Sequence, residues 1–382
     1  MSTLARFVAL YAFMYAAFGV SSPFLPAFFA GRGLRPEDIG ILLGTGTAIR
    51  LVSGPLCGRL ADRTQALRGV LAACAALAAL VALALLPAHG MAPLLAISVV
   101  HAAALAPITT LADALALAAA ARRAGQRWEY GWVRGTGSAL FIVGVLASGQ
   151  AIGAWGLSAS ILLHAGLLAA AAWTASLVPE GGRRIPTAAD SPAETVADLL
   201  RMPIFRRVML VSALVLGSHA MHDAFAVIRW SASGVTPAVA SALWSESVAA
   251  EVIVFFLIGP RLVERLTPAG VLGLAAGAGV LRWVVMASTA QVLALALVQP
   301  LHGLTFAALH LACMRIIVAI VPRGLAATAQ ALYALGAGAT TALLTLASGW
   351  LYASLGAKGF LVMALICATA APLTLRLRSV RS

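Results

Sequence analysis

Charge is scarce in this chain: Asp, Glu, Lys and Arg make up 10% of its 382 residues, against about 25% in ordinary soluble domains. Lysine is almost missing, with Lys358 the single example. Cysteine is limited to Cys57, Cys74, Cys313 and Cys367, scattered in apolar segments without CxxC spacing, which excludes a disulfide framework or a zinc module and leaves them as small packing residues. There is no HExxH, GxSxG or P-loop pattern, so the common signatures of metalloprotease, serine hydrolase and nucleotide-hydrolysing chemistry are absent and an enzyme is not expected.

Apolar residues fill the space that charge leaves. They amount to 62% of the chain, with a mean hydropathy of +0.97, more than a soluble core can absorb. Apolar runs of about 20 residues recur along the whole length, each long enough to cross a hydrocarbon layer of about 30 Å as a helix. The first, 4–30, is too long for a signal-peptide core and lacks a small-residue cleavage site, so it reads as a retained helix. A net charge of +13 invites comparison with nucleic-acid binders, but the basic residues fall in short connections and not along one stripe. That is the distribution of topology signals, and no nucleic-acid partner is expected.

Punctuation by charge, Gly and Pro predicts an all-α membrane protein of twelve spans, at 4–30, 38–61, 67–88, 92–121, 128–150, 154–178, 204–230, 237–259, 268–288, 291–320, 323–352 and 356–376. A polar connection at 179–203 divides them into two pseudo-symmetric six-helix bundles, 1–178 and 204–382, and reads as a cytoplasmic linker with a short amphipathic end. Cytoplasmic termini place 18 basic residues inside and three, Arg32, Arg35 and Lys358, outside, an asymmetry that sets the orientation. Pro23, Pro26, Pro55, Pro107 and Pro300 lie in or near span interiors, where a missing amide donor either kinks a gate or reflects the ordinary abundance of proline in membrane helices.

Gly58-Arg-Leu-Ala-Asp62-Arg63 after the second span, answered by Gly259-Pro-Arg-Leu-Val-Glu264-Arg265 after the eighth, resembles the loop signature of the major facilitator superfamily, although Thr64-Gln65-Ala66-Leu67-Arg68 departs from its usual continuation. Other stretches resemble the phenylpropionate-permease-like branch, which is similar to nucleoside:proton symporters and lactose permease. They are Tyr130-Gly131 with Arg134, Gly137 and Ser138; His219, Trp230, Trp244 and Glu251; Leu281-Arg282-Trp283; Gln299-Pro-Leu-His302-Gly-Leu-Thr305-Phe306 with His310; and Ala329-Gln330-Ala-Leu-Tyr333. The resemblance implies a twelve-helix transporter of the major facilitator fold, with Gly58, Asp62 and Arg63 latching the cytoplasmic ends of helices. It also favours Glu251 as the proton-carrying carboxylate and brings His302 into the relay.

Ionised groups inside a bilayer are penalised, so they mark cavities or partners. Here Asp113, Asp223, Glu246 and Glu251 stand against Arg50, Arg134, Arg229, Arg282 and Arg315. Asp113, about 12 Å up the fourth span, and Arg134, about 9 Å up the antiparallel fifth, lie at depths that let them meet, as a structural pair or with Arg134 gripping a substrate. Depth alone makes Glu246 the partner of Arg282, whereas Glu251 shares a helical stripe with Trp244; either carboxylate can carry the proton, and a purely structural pair is the third option. Arg50, near mid-span, is a second candidate for a substrate carboxylate because its fork suits that group. Arg229 and Arg315 lie nearer span ends, within reach of the interface.

His219, His222 and Asp223, at i, i+3 and i+4, read as a polar patch lining a cavity more readily than as a metal site, since no second ligand cluster is visible. Trp128, Trp155, Trp230 and Trp350 fall near span ends and fit an interfacial belt, while Trp244 and Trp283 lie deeper, as an aromatic wall or as packing. The expected function is proton-coupled symport of a small organic solute, an aromatic or other organic acid first, by alternating access, with a proton-driven exporter as the alternative. Glu251, Arg282, His302 and Glu246 would couple the proton, and Arg134, Asp113, Arg50, Trp244, Asp223, His222 and Gln299 would bind substrate. No cofactor is implied; the partners are the solute, the proton and lipid, with the monomer as functional unit in a bacterial-type inner membrane.

Overall fold

The computed structural model describes residues 2–121, 130–180 and 196–377, and all regular structure among them is helical. The described residues form seventeen α-helices: α1 Thr3–Ser21, α2 Leu25–Gly31, α3 Pro36–Thr64, α4 Leu67–Ala84, α5 Met91–Leu105, α6 Ile108–Ala121, α7 Tyr130–Trp155, α8 Ser158–Leu177, α9 Val196–Arg201, α10 Pro203–Gly217, α11 Ala220–Ala232, α12 Pro237–Ile253, α13 Gly259–Ser288, α14 Val292–Val298, α15 Leu309–Ile320, α16 Ala326–Leu355 and α17 Gly359–Leu375. Two π-helical turns, Val254–Ile258 and Gly303–Ala308, interrupt the α-helical register.

The expected count of twelve spans in two six-helix halves is corrected. Among the described residues ten helical stretches are long and apolar enough to cross a membrane. The eighth and ninth expected spans run as one stretch, Pro237–Ser288, of 52 residues, and the eleventh and twelfth as another, Ala326–Leu375, of 50 residues. The punctuation that separates them in sequence does not interrupt the run of helix by more than a single turn. Pro260 sits in the first turn of α13, where its missing N–H leaves no bond unmade, and Gly356–Lys358 forms a 3₁₀ turn between α16 and α17. Non-helical φ/ψ marks each stretch once, at Thr267 (φ 62°, ψ 156°) inside α13 and at Gly356 (φ 53°, ψ −132°) where α16 ends.

The chain divides into two compact units, Met1–Pro186 with Gly234–Ala242, and Thr187–Ser233 with Leu243–Ser382. In the first unit α1 packs on α7 and α8, and α4 on α8 and α5. The α1–α7 crossing is close because Gly19 faces the Phe141 carbonyl and Gly144 the Ala16 carbonyl, with no room for a Cβ at either glycine. The second unit is built on α13, packed against α15 and α17, and on α10, packed against α16 and α17, around a core that includes Phe205, Val208, Leu272 and Ile316. Most of the expected linker, residues 181–195, lies outside the described residues, as do Trp128, Glu129, Arg122, Arg123, Arg127, Arg183, Arg184, Arg378 and Arg381; its end forms the short helix α9.

The proline sites resolve individually. Pro26 opens α2, Pro55 is carried inside α3, Pro107 separates α5 from α6, and Pro300 lies in the 3₁₀ turn Gln299–Leu301. Trp155 and Trp350 are exposed as an interfacial belt requires, but Trp230 is fully buried and leaves the belt.

Candidate functional site: a buried arginine and two carboxylates

Local backbone irregularity builds the polar centre of the second unit. Between α10 and α11 the helix opens at Ser218 and His219, whose side chains bond back to the Val215 carbonyl at 2.7 and 3.0 Å. Glu251 stands just before one π turn and His302 just before the other. Between them Gly303 lies against the Ala250 carbonyl with no space for a Cβ. A π turn adds a residue to the helical circuit and re-aims the side chains beside it, and here two such turns flank the pair they bring together: His302 Nε2 and Glu251 Oε2 are 3.4 Å apart.

Arg282 is the hub, with 0% exposure. Its Nε and Nη2 donate to Gln299 Oε1 at 3.3 and 3.0 Å, Nη1 donates to His302 Nδ1 at 3.1 Å, and Nη2 donates to His222 Nε2 at 3.4 Å. The guanidinium also lies 4.7 Å from the centre of the Trp283 ring, whose Nε1 donates to Ser218 Oγ at 2.9 Å. Guanidinium donates only, so each imidazole nitrogen facing it must be unprotonated, and the remaining nitrogen must carry the hydrogen. His302 therefore donates from Nε2 to Glu251, and His222 donates from Nδ1 to Asp223 Oδ1 at 3.0 Å. The chemistry of the contacts thus sets both tautomers. Gln299 is set likewise, with its Oε1 turned to the cation and its Nε2 to the Leu243 carbonyl at 3.4 Å. Trp244 stacks on His222 with ring centres 4.8 Å apart.

The ends of this network are open. The Asp223 side chain is 57% exposed and that of Glu251 29%, while the His222 side chain between Asp223 and the arginine is 4% exposed. An uncompensated cation at the depth of Arg282 would be expensive. Neutral acceptors therefore make its direct bonds, and the opposing charges lie one imidazole away on either side.

The first unit holds its charged groups differently. The Asp113 carboxylate accepts hydrogen bonds from the phenols of Tyr11 and, at 2.8 Å, Tyr130. Arg134 lies 4.8 Å over the ring of Tyr15, a cation–π contact. Arg50 is exposed along α3. Nearby chemistry includes a buried imidazole pair, His101 and His164, whose Nε2 atoms are 3.1 Å apart and in which His164 Nδ1 donates to the Ala17 carbonyl at 2.8 Å.

Two expected pairings are corrected. Asp113 and Arg134 form no ion pair among the described residues: two phenols already satisfy the carboxylate, and the Tyr15 ring takes the arginine. Arg282 does not pair with Glu246, which is half-buried elsewhere on α12; five residues from Glu251 puts Glu246 about 140° round the helix. His219, His222 and Asp223 do not act together either, because His219 Nδ1 is spent on the backbone and Thr305 Oγ1 donates to its Nε2 at 2.9 Å. No group of three or more metal-binding side chains converges among the described residues. Arg229 is buried, 5.9 Å from the Phe360 ring, instead of reaching an interface, while Arg315 is exposed, 3.8 Å from Glu264. Asp62 and Arg63 are exposed at the end of α3 beside Gly58. A neighbouring latch joins Arg68 Nε to Glu180 Oε2 at 3.2 Å, tying the start of α4 to the end of α8. Sequence reasoning missed Tyr11, Tyr15 and the two histidines of the first unit. The i, i+4 spacing of the tyrosines, on the α1 face that turns toward Asp113 and Arg134, was the available signal.

The family model described as "MFS_1 like family" matches residues 4–362. The chain is 30% identical to the probable 3-phenylpropionic acid transporter of Escherichia coli (strain K12) over 375 residues, 94% of each protein. It is 23% identical to the uncharacterized transporter YwbF of Bacillus subtilis (strain 168), over 90% of this chain and 85% of that one. Among solved structures, a point mutant of the nucleoside transporter NupG superposes with a TM-score of 0.85 at 16% identity, covering 99% of both chains. A point mutant of the peptide transporter POT superposes with a TM-score of 0.69 at 14% identity, covering 98% of this chain and 92% of that one.

Proposed function

The chain belongs to the MFS_1 like family of membrane transporters, and from that premise we propose that it is a secondary active symporter that carries a small organic acid with a proton by alternating access. Aromatic acids come first, because the relative of 30% identity is named for 3-phenylpropionic acid and because Arg134 and Arg50 supply cationic forks without a carboxylate partner among the described residues. Trp244, stacked on His222, supplies aromatic surface. The protein lies in a bacterial-type inner membrane with cytoplasmic termini, the orientation that the 18-to-3 distribution of basic residues favours. The segment 179–203 joins two transport domains on that side, and the Gly58–Arg63 end of α3 works as a cytoplasmic latch.

One observation carries proton coupling: Glu251, partly exposed, receives an N–H from His302, whose other nitrogen is held by a fully buried arginine. A carboxylate so placed gains a proton when the arginine's influence weakens and loses it when that influence returns, which is what an alternating cycle requires. The test is uptake into proteoliposomes under an imposed inward proton gradient, with 3-phenylpropionate as probe. Accumulation that collapses with a protonophore is expected, and Glu251→Gln should abolish accumulation while leaving counterflow exchange measurable. Gradient-independent flux, or equal loss of both activities in the variant, overturns the assignment; extrusion under the same gradient would identify an exporter.

A further inference from the structure

The first unit contains an imidazole pair that the symport cycle leaves unused. His164 Nδ1 lies 2.8 Å from the Ala17 carbonyl, which only accepts, so that nitrogen carries a hydrogen. In a neutral ring Nε2 is then bare, and its 3.1 Å contact with His101 Nε2 takes its hydrogen from His101. His101 Nδ1 is left bare and, among the described residues, without a partner. His101 is also the less buried ring, at 5% exposure against 1%, so a further proton lands on this nitrogen. Arg50 is within electrostatic reach of both rings. Its helix lies close to α5, since a Cβ on Gly46 would stand 3.5 Å from that of Ala102 and one on Gly54 3.8 Å from that of Ala106. Arg50 makes no hydrogen bond or ion pair among the described residues. One turn away on each helix, the buried hydroxyls of Ser53 and Ser98 have no partner either. The other titratable groups of the unit are engaged or distant. Asp113 holds Tyr11 and Tyr130, Arg134 lies on Tyr15, Asp38 pairs with Arg35 and Glu180 with Arg68, Cys74 faces Cys57, and Glu37 and Asp62 lie at the two ends of α3. A proton on His101 thus makes a second cation beside Arg50 inside a membrane, and an anion must come with it.

We propose that His101 is a second proton-binding residue, which takes its proton together with the solute carboxylate held by Arg50. The inference rests on the reading of Arg50 as a fork for an organic acid. The arriving carboxylate accepts from Arg50 and from the two unpartnered hydroxyls, and it supplies the negative charge that an imidazolium needs. The proton comes from water onto Nδ1, while the N–H on Nε2 stays on His164. His164 is a positioning residue: its bond to the Ala17 carbonyl fixes which nitrogen of His101 is free. Linkage is reciprocal, so protonation strengthens anion binding by the same factor as the anion strengthens protonation. Binding is therefore tightest in acid and weakens as pH rises and His101 loses its proton. The proton so taken neutralises the solute inside the first unit, separately from the proton on Glu251.

Calorimetric titration of the full-length protein in nanodiscs with 3-phenylpropionate, repeated in buffers of different ionisation enthalpy, counts the protons taken up on binding. Glu251→Gln serves as the background, so that this carboxylate contributes none. Proton uptake with the solute is expected, along with an affinity that rises about tenfold from about pH 8 to about pH 5.5. Adding His101→Gln should remove the uptake and flatten the pH profile, and Arg50→Gln should weaken binding and remove the uptake with it. Nitrogen-15 NMR of the native chain with labelled imidazoles gives a readout that no substitution can disturb. The His101–His164 pair is identified by the scalar coupling across its N–H···N bond, and its free Nδ1 should change from bare to protonated when 3-phenylpropionate is added. Uptake that survives His101→Gln, or a pair whose nitrogen signals ignore the ligand, overturns the inference and leaves the symport reading standing. Unchanged binding and uptake in Arg50→Gln overturns the placement of the carboxylate, and the inference with it. A native chain that does not bind 3-phenylpropionate at all overturns the organic-acid reading itself, and the coupling built on it.

Discussion

The two units of this transporter solve the same problem, keeping ions in a membrane interior, in opposite ways. In the first, anion and cation are apart: Asp113 is satisfied by the phenols of Tyr11 and Tyr130, and Arg134 by the face of Tyr15. Neutral partners stabilise each charge without cancelling it, so the arginine keeps its attraction for an incoming anion. In the second, Arg282 is locked by four hydrogen bonds to Gln299, His302 and His222, and two of those partners pass the interaction on to carboxylates. Its charge is already committed. A committed arginine suits proton exchange, in which the counter-ion changes its own charge, and an uncommitted one suits solute capture.

The sharpest way to break the comparison is to delete each arginine. Arg282→Gln should destabilise the protein by about 3–5 kcal/mol, the range for breaking a buried charged arrangement from one side. It strands two imidazole nitrogens and the Gln299 oxygen, and transport should be lost with it. Arg134→Gln should cost only about 0.5–1 kcal/mol, the worth of an accessible cation–π contact. Thermal melts of the two purified variants decide the matter, and similar losses would mean that the first unit's arginine is structural too.

Retaining the charge but altering its shape is a milder perturbation. Arg134→Lys preserves attraction for an anion and removes the planar fork that matches a carboxylate. Affinity for 3-phenylpropionate, measured by ligand-induced thermal shift, should fall about tenfold, or about 1.4 kcal/mol. Unchanged affinity would remove Arg134 from the substrate site. The same substitution at Arg282 should be far more damaging, because an ammonium cannot reach three acceptors arranged around a flat fork.

Of fold and site, the sequence makes legible what depends on hydropathy and depth, and hides what depends on azimuth. Hydropathy marks where helix is buried in lipid, and the apolar stretches lie where it places them. It does not say whether a Gly-Pro or Leu-Gly step ends a helix: at Gly259-Pro260 helical backbone runs on, whereas at Leu355-Gly356 it breaks at Gly356 (φ 53°) and turns through a 3₁₀ step into α17. The interior ions stood out because lipid makes them costly. Their pairing did not, because rise along a helix yields depth alone, and the azimuth that turns Glu251 toward His302, and the π turns that steer both, have no signature in composition. Depth made Asp113 and Arg134 neighbours as well. The tyrosines that keep them apart looked like ordinary apolar residues of the first span.

Those tyrosines supply the smallest expected effect. Tyr130 is half-buried, so in Tyr130→Phe water can replace the lost donor to Asp113, and the melting penalty should stay within about 1 kcal/mol. Tyr11 is fully buried, and nothing can substitute for its phenol, so Tyr11→Phe should cost more, about 1.5–3 kcal/mol, the value of a hydrogen bond to a charged group. Removing both leaves Asp113 ionised with Arg134 as its nearest recourse. If the separation of charge in the first unit is what keeps that arginine available, the double variant should lose affinity for 3-phenylpropionate well beyond the sum of the single effects, as the new ion pair takes the fork. Additive losses would show that the arginine's freedom does not depend on the phenols, and the contrast between the two units would then rest on Arg282 alone.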